Sequence, residues 1–129
     1  MFVHGGVASD SVAKALSIEA EIDTGAFRAG SANGGNITAG TADTGWHVVV
    51  YVADGANSRL HIDGNVYTGT ITDTSGQNAM GRMTVGANLA GTSNYLEGEI
   101  LEIREYGRAL TTEQVAYLRT QLRSRYGLS

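Results

Sequence analysis

The sequence of 129 residues contains no cysteine and no proline, and it has only one tryptophan and two phenylalanines. Without cysteine there is no disulfide framework, thiolate metal site or thiol nucleophile, so a microbial or viral source fits better than a disulfide-stabilised animal module. Basic residues are few, because nine Lys and Arg stand against thirteen Asp and Glu and leave a net charge of −4. That charge would repel nucleic acid and anionic membranes, and we expect neither as a partner.

Long apolar runs are also missing. No run approaches the roughly 18 residues of a membrane span, and the start lacks the charged and apolar regions of a signal peptide, so we expect neither. The length predicts one domain over residues 1–129. The abundance of Gly, Ser, Thr and Asn favours many turns and an all-β fold.

Alternation of apolar and polar residues predicts antiparallel strands. Leu16–Asp23 alternates over its whole length, which places carboxylates on the exposed face of a strand. Asn33-Gly34 predicts a hairpin turn, and turn residues 54–58 separate the two strands of a central hairpin. The remaining predicted strands are Phe2–His4, Phe27–Ala29, Ile37–Ala39, Trp46–Ala53, Arg59–Asp63, Val66–Thr72, Met83–Gly86 and Tyr95–Tyr106.

The end of the chain changes to a helical period. Thr111 with Gln114 three residues later forms a capping box, and Gly127 supplies a left-handed stop. One apolar stripe runs along the segment between them, formed by Val115, Leu118, Leu122 and Tyr126. The pattern predicts a helix over 111–126 that packs on a sheet.

Two blocks of the sequence resemble laminin G-like domains of the concanavalin A-like lectin/glucanase superfamily. One is the central hairpin, WHVVVYVADGANSRLHIDG at 46–64, and the other, more specific, is GEILEIREYGRALT at 98–111. The resemblance covers 46–128 well and 1–45 loosely, and it implies a two-sheet antiparallel jelly-roll sandwich with one C-terminal helix. Such domains usually carry another strand or two before this start, so either the sequence is trimmed or the sandwich is minimal, with an open edge that a neighbour partly completes.

A row of carboxylates, Glu19, Glu21 and Asp23, is the strongest indication of an enzyme. The superfamily includes family 16 glucanases with a Glu-x-Asp-x-Glu or Glu-x-Asp-x-x-Glu strand, but the acid/base position here is Gly25 or Ala26. Because a retaining glycosidase needs two carboxyl groups about 5–5.5 Å apart, we interpret the row as a solvated strand face. We expect no enzymatic activity, with a family 16-like glycanase as the remote alternative.

Oxygen ligands near the central hairpin raise the question of a metal. His47 and His61 lie on neighbouring predicted strands without a third ligand, so we do not predict zinc there. We expect no cofactor, with calcium as the alternative, because laminin G-like domains bind it at a sandwich rim. The calcium candidates, which otherwise serve as turn caps, are Asp54, Asn57, Asp63 and Asn65.

Amide and aromatic side chains in the later loops suit a sugar. The glycan-binding candidates are Asn88, Asn94 and Tyr95, with ordinary turn residues as the other interpretation. Trp46 is interpreted as core or rim packing, with a ligand platform as the alternative. We expect Glu102 to form a structural ion pair with Arg104 or Arg108. The predicted helix carries three arginines near its C-terminus that are either solvated or paired with an acidic neighbour. They are Arg119, Arg123 and Arg125.

The helical Arg-Tyr-Gly-Leu ending at 125–128 is similar to that of bacteriophage structural proteins. We therefore predict a virion protein, a capsid decoration or a fibre or attachment domain, assembled in the host bacterial cytoplasm. It would act through self-association or a shell or tail protein, and through a cell-surface glycan. The alternative is a carbohydrate-binding, lectin-like module of a bacterial protein, which the small number of aromatic residues disfavours.

Overall fold

The structure, a computed structural model, describes residues 3–6, 16–21, 25–31, 34–72, 82–86 and 95–128. These ranges contain eight strands, one α-helix and a short 3-10 turn at Gly55–Asn57. In chain order the elements are β1 (Val3–Gly6), β2 (Leu16–Glu21), β3 (Ala26–Ser31), β4 (Gly35–Ala39), β5 (Val49–Val52), β6 (Ser58–Ile62), β7 (Asn65–Gly69), β8 (Arg82–Val85) and α1 (Thr112–Tyr126).

Five strands form the first sheet, in the order β4-β3-β2-β1-β8, and every pairing in it is antiparallel. The alternating segment forms β2, which pairs with β3 from Leu16 opposite Ser31 to Glu21 opposite Ala26. The next turn brings Gly35 opposite Ser31, and Gly35 has a φ of +97°, which favours glycine. The hairpin predicted around Asn33-Gly34 is therefore confirmed.

The second sheet is a three-stranded meander, β5-β6-β7, that packs face to face on the first. Leu60 and Ile62 of β6 are buried against Phe27, Ala29 and Ile37 of the first sheet. Along β5 the side chains alternate, so that Val49 and Tyr51 join this core whereas Val50 and Val52 face the other way. The meander thus has apolar side chains on both faces.

The helix covers the outer face of the meander. Val115 and Leu118 are buried with Val52 and Leu110, and Leu122 lies partly buried beside them. The chain is therefore layered as a five-stranded sheet, a three-stranded sheet and a helix. An all-β antiparallel sandwich with one C-terminal helix was predicted from the sequence, and that prediction is confirmed. Within the described residues no helix is long and apolar enough to cross a membrane.

Both helix ends form as the sequence predicts. Gln114 N donates to Thr111 Oγ1 at 3.3 Å, and Thr111 N donates to Gln114 Oε1 at 3.0 Å, which completes the capping box. Gly127 has a φ of 63°, and its N–H donates to the Arg123 carbonyl. The first helical residue is Thr112, with Thr111 as the N-cap.

The strand predicted to begin at Trp46 begins instead at Val49. Val48 O accepts from Asp63 N at 3.1 Å, while Val48 N donates to the Asp63 side chain at 2.9 Å rather than to a neighbouring backbone. Because a carboxylate takes the place of a ladder carbonyl, regular pairing starts one residue later. Trp46 and His47 consequently lie outside the strand, at the end of the sandwich.

The last strand predicted, Tyr95–Tyr106, is wrong, since no residue of this segment is in a strand. Alternation gives strand propensity, but a strand also requires a paired neighbour. Among the described residues the segment makes one backbone hydrogen bond to another element, from Leu96 N to Gly86 O at 2.8 Å. It is tied to the helix by side chains, through Glu102 with Arg125 and Tyr126.

Candidate functional site

An open cleft of about 730 Å³ lies between the end of the central hairpin and the last turns of α1. We call it the Trp46 cleft. Its polar and aromatic lining residues are Trp46, Asp63, Arg119, Thr120, Arg123 and Ser124. Gly127 and Leu128 close its end. The meander therefore supplies one wall and the helix the other.

Asp63 is the residue at which the two walls meet. It follows β6 with a φ of 50°, a left-handed conformation that Asp tolerates better than most side chains, and Gly64 continues the turn at 107°. This turn directs the Asp63 side chain back towards the segment before β5. Its Oδ1 accepts from Val48 N at 2.9 Å, and its Oδ2 lies 2.6 Å from His47 Nδ1.

His47 lies between two carboxylates behind the cleft. Its Nε2 is 3.1 Å from Asp43 Oδ1, opposite the contact with Asp63. Its ring packs on Phe27 in a T-shaped arrangement, with the two ring centroids 5.0 Å apart. The Gly45 backbone N–H and the His47 ring lower the pKa of Asp43 below its usual value. The imidazole thus connects the turn, the loop before β5 and the first sheet.

Two guanidinium groups of α1 approach the same aspartate. Arg119 Nη1 donates to the Asp63 carbonyl at 3.0 Å, and Arg123 Nη1 lies 3.4 Å from Asp63 Oδ1. Arg119 passes directly over Gly64, where any Cβ would overlap Arg119 Nη1. Two positive charges therefore face one carboxylate in the cleft, so this region is locally cationic although the whole chain is acidic.

Trp46 is 45% exposed and borders the cleft beside these charges. The loop conformation before β5 places the indole at the rim of the sandwich rather than in its core, and leaves much of it open to solvent. It is the single tryptophan of the chain, so its fluorescence reports on this site alone.

A second, smaller cavity of about 80 Å³ lies between the meander and the helix. His61 lines it and is 4% exposed, and its Nε2 has no hydrogen-bond partner among the described residues. Burial, with the positive charge of Arg59, lowers the pKa of His61. His47 faces Phe27 on the other side of the meander, so the two histidines do not share a site.

Glu102 is the centre of a separate cluster at the end of the helix. It accepts from Tyr126 Oη at 2.8 Å and Arg125 Nη1 at 3.0 Å, and it pairs with Arg104. The hydrogen bonds from Arg104 and Tyr126 lower the pKa of Glu102 to about 2. The predicted ion pair with Arg104 is present, whereas Arg108 instead donates to Gln114 at 2.9 Å.

The four calcium candidates do not form one site. Asp54 and Asn57 belong to the β5–β6 turn, whereas Asp63 and Asn65 belong to the β6–β7 turn. In an antiparallel meander successive turns lie at opposite ends, and the five residues of β6 separate these two by about 15 Å. No group of three or more His, Asp or Glu side chains suited to a metal occurs in the part of the chain that the structure describes.

The glycan candidates Asn88 and Asn94 lie outside the described residues, and Tyr95 is 66% exposed in the segment after them. Of the carboxylate row, Glu19 and Glu21 lie on β2 opposite Arg28 and Ala26, away from the Trp46 cleft. Asp23 lies outside the described ranges. Of these candidates, the described ones, Tyr95, Glu19 and Glu21, are not among the residues that line the cleft.

The Trp46 cleft is not predictable from the local sequence. Arg119 and Arg123 reach Asp63 across 56 and 60 positions, a distance over which no local pattern gives a signal. One indication was available, since contact between the helix arginines and an acidic neighbour was the alternative to solvation. Arg123 with Asp63 and Arg125 with Glu102 both follow that alternative.

Known proteins place the chain among lectin-like folds. A laminin G family model, described as the concanavalin A-like lectin/glucanases superfamily, matches residues 4–116. The crystal structure of an S-layer domain-containing protein from Clostridium thermocellum ATCC 27405 is similar at 25% identity and a TM-score of 0.45. That similarity covers 88% of this chain and 59% of the other, so this chain spans less than two thirds of it. No curated protein matches.

Proposed function

The chain belongs to the concanavalin A-like lectin/glucanase superfamily as a laminin G-like domain, and we propose that it is a non-enzymatic carbohydrate-binding module. Its sugar site is the Trp46 cleft. Because a fold does not fix a function, the proposal depends on the chemistry of the cleft. The observation that carries it is the meeting of a half-exposed indole with guanidinium and hydroxyl groups in one cleft.

These groups match the two kinds of surface that a pyranose presents. The apolar face of the sugar ring packs on an indole, and the hydroxyl groups need donors and acceptors around it. Ser124 and Thr120 border the cleft, and Thr120 Oγ1 donates to the Ala116 carbonyl at 3.1 Å, which leaves its lone pairs free to accept. A volume of about 730 Å³ lies within the usual range of ligand sites, roughly 300–1,000 Å³.

Binding without hydrolysis is supported by the carboxylates. Asp63 is the single carboxylate that lines the cleft among the described residues, and its oxygens already contact His47, Val48 and Arg123. Glycoside hydrolysis ordinarily needs a pair of carboxyl groups across the bond. The motif around Glu21 also lacks its acid/base residue. We therefore expect the protein to hydrolyse no member of a panel of β-glucans, whether or not it binds them.

The test is titration of Trp46 fluorescence with a panel of oligosaccharides, repeated by calorimetry. We expect at least one saccharide to shift the emission in a saturable way, with a micromolar dissociation constant, and Trp46→Ala to remove its binding. Tyr117→Ala is the matched control, because Tyr117 is an aromatic residue that is 68% exposed on the helix outside the cleft lining. Unchanged binding by Trp46→Ala, or no response to any saccharide, would refute the proposed site.

The structural virion protein that the sequence favours becomes the second candidate, because the family match supports the lectin-like alternative instead. It is supported by large apolar side chains that are exposed on the described surface. Those outside the cleft are Val66, Val85, Tyr95, Leu101, Tyr106 and Tyr117. Exposed apolar residues of this kind suit contact with another protein when they form a continuous patch. Its link to bacteriophages rests on the Arg-Tyr-Gly-Leu ending and on the absence of cysteine, which fits a viral source. The partners would be copies of the chain or a shell or tail protein.

Analytical ultracentrifugation over a concentration series tests this candidate. Self-association that Leu101→Asp weakens, with an unchanged melting temperature, would support it. A monomer at every concentration, with no co-sedimentation with phage particles, would count against it. Sugar binding and self-association are measured independently, so either candidate can fail alone.

A further inference from the structure

We propose that the saccharide held in the Trp46 cleft is acidic, and that its carboxylate binds the guanidinium groups of Arg119 and Arg123 while its ring packs on Trp46. This inference rests on the proposed carbohydrate-binding function and specifies the ligand. The chemical class is a uronic acid or another carboxylate-bearing sugar.

Charge in the cleft is the first support. Arg119 and Arg123 face Asp63, and no other carboxylate lines the cleft among the described residues, so these lining side chains carry more positive than negative charge. A chain with a net charge of −4 repels anions in general. An anion is therefore expected to bind where positive charge is locally in excess. The other helix arginine near this end, Arg125, is already paired with Glu102 at 3.0 Å.

Unused donors are the second support. A guanidinium has five N–H donors, and in the described structure Arg119 and Arg123 each engage Asp63 through Nη1 alone. The Arg123 contact is long, at 3.4 Å, so the Asp63 carboxylate does not saturate it. A carboxylate fits the planar fork of an arginine with two parallel hydrogen bonds, which a sugar hydroxyl cannot do.

The helix end opposes this positive charge only in part. A helix C-terminus carries about half a negative charge on unpaired carbonyls, and such carbonyls would oppose an anion. Here the Arg123 carbonyl accepts from both Gly127 N and Leu128 N, the latter at 3.0 Å, so the cap occupies it. The arginine side chains thus extend from a capped helix end towards the cleft.

Arg119 is also held in position before any ligand arrives. Its guanidinium lies over Gly64 and donates to the Asp63 carbonyl, so it is fixed at the floor of the cleft rather than free in solvent. A group fixed in advance loses less conformational entropy on binding. Trp46 borders the same cleft, so one ligand can contact the ring and the charge together.

The test compares trigalacturonic acid with its methyl ester, which has the same rings without the charges. Binding is measured by Trp46 fluorescence and calorimetry at low salt. We expect the acid to bind about ten-fold more tightly or better, as charge-assisted hydrogen bonds imply, and to weaken as salt rises. Arg123→Gln should lose most of this preference, and Arg119→Gln part of it. Arg108→Gln is the matched control, because Arg108 pairs with Gln114 away from the cleft.

The possible failures are distinct. If acid and ester bind equally and Trp46→Ala abolishes both, the carbohydrate-binding function stands and the acidic specificity is refuted. If the acid is preferred but Arg123→Gln and Arg119→Gln, folded by their melting temperatures, keep the preference, the assignment to these arginines is refuted. A sulfated trisaccharide, bound as tightly as the acid, would refute selection of a carboxylate over other anions. No binding of any saccharide refutes the function itself.

Discussion

His47 Nδ1 and Asp63 Oδ2 lie 2.6 Å apart, although the two residues are separated by 16 positions. The other oxygen of the same carboxylate accepts from Val48 N and contacts Arg123. Asp63 therefore joins the loop before β5, the β6–β7 turn and the helix. The shape of the Trp46 cleft depends on this one side chain.

Asp63→Asn should lower the free energy of unfolding by about 1–3 kcal/mol, the usual worth of hydrogen bonds to a charged group. Asn tolerates the left-handed backbone at this position, so the loss reports the carboxylate and not the turn. Urea unfolding at pH 7 measures it. The matched control is Asp54→Asn, because Asp54 is exposed and its side chain makes no cap hydrogen bond. Equal stability of the two variants would contradict the proposed role.

Glu102 should make the protein sensitive to acid. Its pKa is lowered from 4.5 to about 2 in the folded chain, first by Arg104 and then by Tyr126. The unfolded chain therefore binds the proton more readily, so the stabilisation is complete above pH 4.5 and is lost as the pH falls towards 2. Glu102→Gln should flatten the fall of melting temperature below pH 5. Superimposable pH profiles for the two proteins would contradict this.

Elements specified by neighbouring residues were predictable. The capping box of Thr111 with Gln114, the turn before Gly35 and the alternation of β2 each depend on residues a few positions apart, and each forms as predicted. Tyr95–Tyr106 has the same alternation but is not a strand in the structure, because a strand also depends on a partner that the local sequence does not specify.

The site was less predictable than the fold. The calcium hypothesis grouped turn residues by closeness in sequence, while the meander sends Asp54 and Asp63 to opposite ends of β6. Trp46 lies at the sandwich end as expected, but its strand starts three residues later than predicted, which leaves the indole in a loop at the cleft. The cleft itself depends on where α1 lies across the meander, which the spacing of apolar residues does not determine.

His61 should contribute a second pH dependence, nearer neutrality. Burial lowers its pKa below the ordinary value of 6.5, so the unfolded chain binds its proton first as the pH falls. Burial of His61 therefore costs no stability above pH 6.5. Below that pH the free energy of unfolding decreases as the pH drops towards the pKa of the folded state. Between neutral pH and pH 5, the free energy of unfolding should decrease less in His61→Leu than in the wild type. Urea unfolding at each pH measures it. An identical loss in both proteins would contradict the prediction.

Gly64→Ala should destabilise the protein for two separable reasons. The φ of 107° is strained for any residue with a Cβ, and that Cβ would overlap the Arg119 guanidinium. We expect a loss of about 1–3 kcal/mol, together with weaker binding of the acidic trisaccharide, because Arg119 must move. Urea unfolding and Trp46 fluorescence measure the two effects.

A double-mutant cycle with Arg119→Ala separates the two reasons. In that background the guanidinium is gone, so Gly64→Ala should cost only its backbone strain and less than in the wild type. The difference between the two costs measures the contact between Arg119 and the turn. If Gly64→Ala costs the same in both backgrounds, Arg119 does not rest on Gly64 in solution. The arginine would then lack the fixed position from which it is proposed to bind a carboxylate.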